Sequence, residues 1–222
     1  MRQTPAHEIH NADLLRFIPS AVSALIEVGC SSGALAREYK KLNPTSSYIG
    51  VEISSDYAAL ASRYCDRVLV QDIEEADEDF WVKFSDRECW IFGDTLEHLR
   101  SPWDVLRRIA SIIPRGGCVV ACIPNAQHWS VQARLNIGDF RYQDSGLLDR
   151  THLRWFTRQT IFELFHDAGF KITDGMARVF DEPLREKYLP VIATMAGLSK
   201  ADPEVAVKDA TAFQYVIRAV RD

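Results

Sequence analysis

The stretch ALIEVGCSSGALA, Ala24 to Ala36, decides how the chain is read. Leu25, Ile26 and Val28 form a short apolar run with an acid, Glu27, set near its end. Gly29, Cys30, Ser31, Ser32 and Gly33 follow, and then a helix-forming run, ALAREYKK. An apolar run, a small-residue turn and a helix make the start of an α/β unit. Glycine there lets the backbone turn sharply and lets a ligand approach the main chain. The helix N-terminus just beyond offers unpaired N–H groups. The dinucleotide fingerprint G-x-G-x-x-G fails, because serine stands at 31 and alanine at 34. What stands instead is acid-x-Gly-x-x-x-Gly, from Glu27 to Gly33. A carboxylate two residues before the first glycine repels a pyrophosphate and suits a ligand with a cationic end. The competing reading is a structural βα turn with a solvated Glu27.

Outward from this unit, strands and helices alternate. SYIGVEIS reads as a strand ending in Glu52, about 20 residues past the glycine turn, where nucleotide-binding α/β folds place a carboxylate for ribose hydroxyls. A helix over Asp56–Tyr64 leads to a strand, Val68–Val70, that ends at Asp72. Cys89–Phe92 reads as a strand closed by Gly93-Asp94. Ser101-Pro102 starts a helix whose apolar face is Val105, Leu106, Ile109, Ile112 and Ile113. GCVVACIPN is the next strand, ending at Asn125. Such alternation predicts right-handed crossovers and a mainly parallel sheet, with ligands beyond the carboxyl ends of the strands. Glu27, Glu52, Asp72, Asp94 and Asn125 all fall at those ends.

Within DTLEHL a short helix would put Asp94, Glu97 and His98 at i, i+3 and i+4, on one face. Three readings stand: helix packing, a substrate-side base, or a metal site that needs a further ligand. After Asn125 the periodicity breaks. Residues 126–156 are rich in Trp, Tyr, Phe, His, Arg and Asp, as expected of a substrate lid at the strand-end face. Asp149, Arg150, Thr151, His152 and Arg154 are its densest polar group. Trp129, Tyr142, Trp155 and Phe156 either stack on a sugar or ring face or form core beneath the lid. Thr157 caps a further helix that stops at Gly169. FKITDGMARVF and FQYVIRAVR read as two late strands forming an antiparallel pair at the sheet edge, with a weak helix and a polar loop between them.

The chain has 222 residues, enough for one large α/β domain, read as residues 1–222 with the lid at about 126–156. A net charge of −5 argues against a broad electrostatic footprint for nucleic acid or anionic membrane. The N-terminus, MRQTPAHEIHNADLL, shows no signal-peptide core and no run approaches transmembrane length, so a cytoplasmic location is expected. The five cysteines are odd in number and match no zinc or disulfide spacing, so they are expected as buried free thiols.

The segments ALIEVGCSSG, YIGVEIS, GDTLEHLRSPWDVL, PRGGCVVACIPN and GLLDRTHLRWFTRQTIFELFHDAGF resemble, in this order, class I S-adenosylmethionine-dependent methyltransferases. They are similar to the bacterial type linked to polysaccharide and glycan biosynthesis, and more distantly to ubiquinone-type O-methyltransferases. The resemblance implies a Rossmann-like doubly wound, mostly parallel seven-stranded sheet with an antiparallel C-terminal edge strand. It implies S-adenosyl-L-methionine as cofactor. Glu27 and the turn Gly29, Cys30, Ser31 and Gly33 would hold the methionine end. Glu52 would hold the ribose, with Ile53 against adenine. Asp72 and Ile73 would frame adenine, and Asp94 and Thr95 would sit beside the methionine portion and methyl group. Ser31 departs from the family's third glycine, which lowers the affinity expected of the turn. In some small-RNA and ubiquinone-type relatives an acid-x-x-Glu-His element binds a divalent metal. Asp94, Glu97 and His98 resemble it, with His152 as an extra ligand, but no metal is assigned on that basis.

The expected reaction is in-line methyl transfer to an oxygen of a sugar, glycan or other small hydroxylated acceptor. His98, His152 and Asp149 are the candidate catalytic groups on the acceptor side. Methyl transfer to nitrogen of an amino sugar or small amine, and a non-catalytic binding module of the same fold, are the alternatives. A homodimer is left open.

Overall fold

The computed structural model describes residues 8–221. The first seven residues of the N-terminal stretch lie outside this range. In chain order the elements are α1 (Ala12–Phe17), β1 (Ala24–Val28), α2 (Ala34–Leu42), β2 (Ser47–Glu52), α3 (Ser55–Ala61), β3 (Arg67–Val70) and α4 (Glu78–Lys83). They continue with β4 (Cys89–Gly93), α5 (Pro102–Ile112), β5 (Cys118–Pro124), α6 (Trp129–Asn136), α7 (Arg158–Asp167), β6 (Phe170–Arg178), α8 (Arg185–Leu198), α9 (Pro203–Thr211) and β7 (Gln214–Arg221).

One seven-stranded sheet runs β3-β2-β1-β4-β5-β7-β6. The strands from β1 to β5 pair in parallel, and β7 is antiparallel to both β5 and β6. Strand residues alternate between two cores, as a sheet covered on both faces requires. Ile26, Val28, Trp90 and Phe92 pack on one face with Ile109, Ile161 and Phe165 of α5 and α7. Leu25, Tyr48, Cys89 and Ile91 pack on the other with Leu14 and Tyr39 of α1 and α2.

The two late strands form the expected antiparallel pair, but the C-terminal strand is not the edge. β7 inserts between β5 and β6, and β6 takes the edge. Burial explains the order. Val216, Ile217 and Ala219 are at most 5% exposed, whereas β6 carries exposed Lys171, Thr173, Asp174 and Gly175. The expected polar loop before β7 is the helix α9, started by Asp202 and Pro203 at the positions where cap and first-turn proline belong. All five cysteines are free and buried. Among the described residues no helix is long and apolar enough to cross a membrane.

Candidate active site

The carboxyl ends of β1 to β4 meet along one rim. Glu27, next to last in β1, accepts a 2.9 Å hydrogen bond from the hydroxyl of Tyr48 on β2. The side chain is 5% exposed, and burial pushes its carboxyl up to about 8, with the Glu52 charge adding to the rise and the Tyr48 bond opposing it. An acid held neutral in this way regains its charge when a cation is placed beside it.

The turn after β1 is built from three left-handed residues, Gly29 (φ 75°), Ser31 (φ 48°) and Gly33 (φ 76°). A Cβ on Gly29 would stand 2.6 Å from Thr95 Oγ1, and one on Gly33 would stand 2.9 Å from the Ala61 main chain. Glycine is therefore set at both positions by backbone sign and by close approach. Ser31 accepts the same backbone conformation at a steric cost, which gives the departure noted in the sequence a structural meaning. The Cys30 thiol is buried in the α2 core, so only its backbone belongs to the turn.

Glu52 stitches the turn to β2. One of its oxygens accepts the Ser31 N–H at 2.9 Å and the other accepts the Ser54 N–H at 3.0 Å. Each carboxylate oxygen accepts two hydrogen bonds, so the same group can serve the turn and a ligand's hydroxyls. Beside it Ile53 is 60% exposed, an apolar surface in reach of a planar ring. Asp72 caps the 3₁₀ turn Ile73–Glu75 and lies 3.6 Å from the Arg100 guanidinium, while Ile73 is packed in the core. Thr95 Oγ1 donates to the Val28 carbonyl at 3.0 Å, tying the ends of β4 and β1 together.

Asp94 follows β4 directly with φ 54°, and its carboxylate accepts from Gln214 of β7. Only Leu96–His98 is helical, as a 3₁₀ turn, so Asp94 does not share a helix face with Glu97 and His98. Asn125, the fifth strand-end residue, is fully buried. Its amide donates to the Asp209 and Ala212 carbonyls at 2.8 and 2.7 Å, which closes the end of α9. Its place at the strand end is structural.

A second cluster lies where the segment 126–156 meets the 3₁₀ turn Leu96–His98. The Glu97 carbonyl accepts from the Leu153 and Arg154 N–H groups at 2.8 and 3.0 Å. Asp149 is 2% exposed and accepts from the Thr151 N–H and hydroxyl at 2.8 and 2.7 Å. Thr151 in turn receives His98 Nδ1, 3.1 Å from both its carbonyl and its hydroxyl oxygen. A carbonyl only accepts, so His98 carries its proton on Nδ1 and presents a bare Nε2. The His152 ring packs edge-on against His98, with centroids 4.8 Å apart, and its Nε2 lies 3.9 Å from Glu97. Burial, and then the neighbouring His98, hold His152 down to about 4, so this imidazole is neutral at neutral pH. Burial likewise lowers His98 and drives Glu97 well above the usual carboxylate range.

Of the aromatic residues singled out, Trp129 and Phe156 are buried and Tyr142 and Trp155 are exposed. Tyr142 and Trp155 stack at 6.4 Å with Phe140 set against both, an open aromatic surface on the segment 126–156. A cavity of about 230 Å³ lies at the same segment between Val131, Arg134, Gln143, Leu148 and Phe213. Thr151, part of the polar group singled out in the sequence, positions His98, while Tyr48 and Gln214 each position a site residue without having been expected to. Tyr48 and Gln214 do so from other strands, which spacing along the chain does not reveal.

This geometry agrees with what the chain is similar to. A family model described as a methyltransferase domain matches residues 4–174, and the chain belongs to that family. It is an S-adenosylmethionine-dependent methyltransferase, with S-adenosyl-L-methionine as methyl donor. Among solved structures it is similar to a methyltransferase of Archaeoglobus fulgidus, at 19% identity and a TM-score of 0.64, over 95% of this chain and 92% of that one. It is similar also to a methyltransferase of Thermotoga maritima, a possible histamine N-methyltransferase, at 17% identity and a TM-score of 0.62 over 95% and 86%. The magnesium protoporphyrin IX methyltransferase of Synechocystis with bound S-adenosylhomocysteine aligns at 13% identity and a TM-score of 0.58 over 95% and 79%. No curated protein matches the chain. The rim fits the donor on its own chemistry: a neutralised buried acid for a cationic end, a carboxylate at the end of β2 for hydroxyls, and an exposed isoleucine for a ring.

Proposed function

We propose that the chain methylates a hydroxyl of a sugar, glycan or other small hydroxylated acceptor. When bound, S-adenosylmethionine supplies a methyl group already activated on a sulfonium. Glu27 and the turn Gly29–Gly33 hold its cationic amino-acid end, Glu52 its ribose, Ile53 and Asp72 its adenine. Asp94 and Thr95 border the transferable methyl. The protein's remaining task is to place an acceptor oxygen in line and to keep water out. The segment 126–156 acts as the lid over that space.

The observation that carries the choice of oxygen is the buried series Asp149–Thr151–His98. It fixes the tautomer of His98 and leaves Nε2 able to take a proton from a hydroxyl. A neutral amine acceptor would need no such arrangement. The exposed surface of Phe140, Tyr142 and Trp155 supports an acceptor with a ring face, as a sugar has. The test is transfer of labelled methyl from the cofactor to a panel of hexosides and of matched amino sugars. Transfer to hydroxyls that falls at least a hundredfold in kcat with His98→Ala is the expected result. Transfer to amines alone, indifferent to that substitution, rejects the reading.

A further inference from the structure

The cavity of about 230 Å³ on the segment 126–156 shares no lining residue with the rim assigned to the methyl donor. Its walls lead to the acceptor side all the same. Phe213 lines it, and the next residue, Gln214, engages Asp94. Leu147 and Leu148 line it, and the next residue, Asp149, holds Thr151 against His98. Each water takes about 30 Å³, so the space equals about eight of them, room for a single ring. Its floor is apolar, from Val131, Leu147, Leu148 and Phe213.

One wall carries surplus positive charge. Arg134 Nε donates to Asp139 at 3.1 Å, and Nη2 donates to the Arg141 carbonyl at 3.0 Å. Arg134 Nη1 has no partner among the described residues. Asp139 is itself shared, because Arg141 donates to it from Nε at 2.8 Å and from its backbone N–H at 3.2 Å. The two guanidiniums hold the Asp139 carboxyl well below the usual carboxylate range, so it stays ionised. One carboxylate against two guanidiniums leaves one positive charge uncompensated. Arg150, by contrast, has a carboxylate of its own in Asp144. The Gln143 side-chain amide, also in the wall, has no partner among the described residues.

We infer that this cavity is a subsite for an oxyanion on the acceptor, a carboxylate or phosphate held by Arg134 Nη1 with the Gln143 amide beside it. Hydrogen bonds from a guanidinium to a charged oxygen are among the stronger ones a cleft offers. Asp139 fixes the arginine in place before the ligand arrives, which lowers the ordering cost of binding. The acceptor is then an acidic hydroxylated ring, such as a hexuronoside or a hexose phosphate. An amino sugar would meet like charge in the same place. Assigning the anion to the methyl acceptor rests on the methyl-transfer reading, whereas the anion site does not.

The full chain, isotope-labelled and saturated with S-adenosylhomocysteine, is titrated with methyl glucuronide, inorganic phosphate and methyl glucoside and followed by its amide resonances. Millimolar methyl glucuronide or phosphate should shift Val131, Gly146, Leu148 and Phe213, and methyl glucoside should not. The anion that binds tighter names the group. Arg134→Gln should weaken anion binding at least tenfold. Asp139→Asn removes the countercharge and should strengthen it severalfold. A pair that only staples the segment would be broken by both variants, and both would then weaken binding. That outcome, or no shift at the cavity with either anion, overturns the site. Transfer of labelled methyl to matched neutral hexosides, hexuronosides and hexose phosphates separates the two readings. The acidic members should show a KM at least tenfold lower at similar kcat. Equal KM for neutral and acidic members overturns the acidic acceptor and leaves methyl transfer standing. Anion binding at the cavity without transfer to any member rejects hydroxyl methylation and leaves the anion site standing.

Discussion

Replacing Glu27 by glutamine tests the electrostatics of the rim directly. The amide keeps the shape of the side chain and an oxygen for the Tyr48 hydroxyl, and it removes the titration. The native carboxyl is raised from 4.5 to about 8 by burial. A raised acid means that the folded state keeps a proton the unfolded chain releases above about pH 4.5. The stability linked to that proton is present in full below about 4.5 and is lost as the pH climbs to about 8. The slope is about 1.4 kcal/mol per pH unit for one proton. Urea unfolding of both proteins without cofactor, at pH 5.5, 6.5 and 7.5, should therefore show the native chain losing about 2–3 kcal/mol against Glu27→Gln across the range, the slope easing as the pH nears 8. The difference between the two proteins cancels the titration of every other group. With saturating S-adenosylmethionine the native slope should flatten, because a cation beside Glu27 restores its ionised form. Parallel curves for the two proteins without cofactor would refute the claim that Glu27 is held neutral.

Three further outcomes follow from the rim. Ser31→Gly relieves a left-handed serine and keeps the N–H that Glu52 receives, so urea unfolding should show a gain of about 1 kcal/mol. Glu52→Ala should weaken S-adenosylmethionine binding by roughly 1–3 kcal/mol through unpaired ribose hydroxyls, and an unchanged affinity by calorimetry would remove Glu52 from the site. Asn125→Ala leaves the Asp209 and Ala212 carbonyls without their donor, so stability should fall by about 1–3 kcal/mol while cofactor affinity stays the same.

The sequence by itself determined the order of the strands and of the helices α2, α3, α5 and α7 between them, the parallel part of the sheet and the acids at its carboxyl ends. These features rest on local physics. Apolar runs of four to seven residues bounded by glycine, proline or a cap leave few alternatives, and the turn Gly29–Gly33 demands left-handed backbone that spacing already announces. The start of α9 is legible too, in Asp202-Pro203, but the helix buries only Asp209 and Ala210 and so carries no apolar periodicity. Tertiary structure alone decided what each of these strand-end residues does. Glu27, Glu52, Asp94 and Asn125 have the same position in the pattern, at strand ends, yet Tyr48 and burial make the first a neutral acid. Backbone N–H groups from two loops make the second a clamp, Gln214 engages the third, and the carbonyls closing α9 make the fourth a structural pin. Likewise nothing in the spacing brings His152 beside Glu97 and His98, because the chain between them crosses a strand and two helices first. Protonation and hydrogen bonding are set by what surrounds a side chain in three dimensions, and those neighbours come from residues distant in the chain.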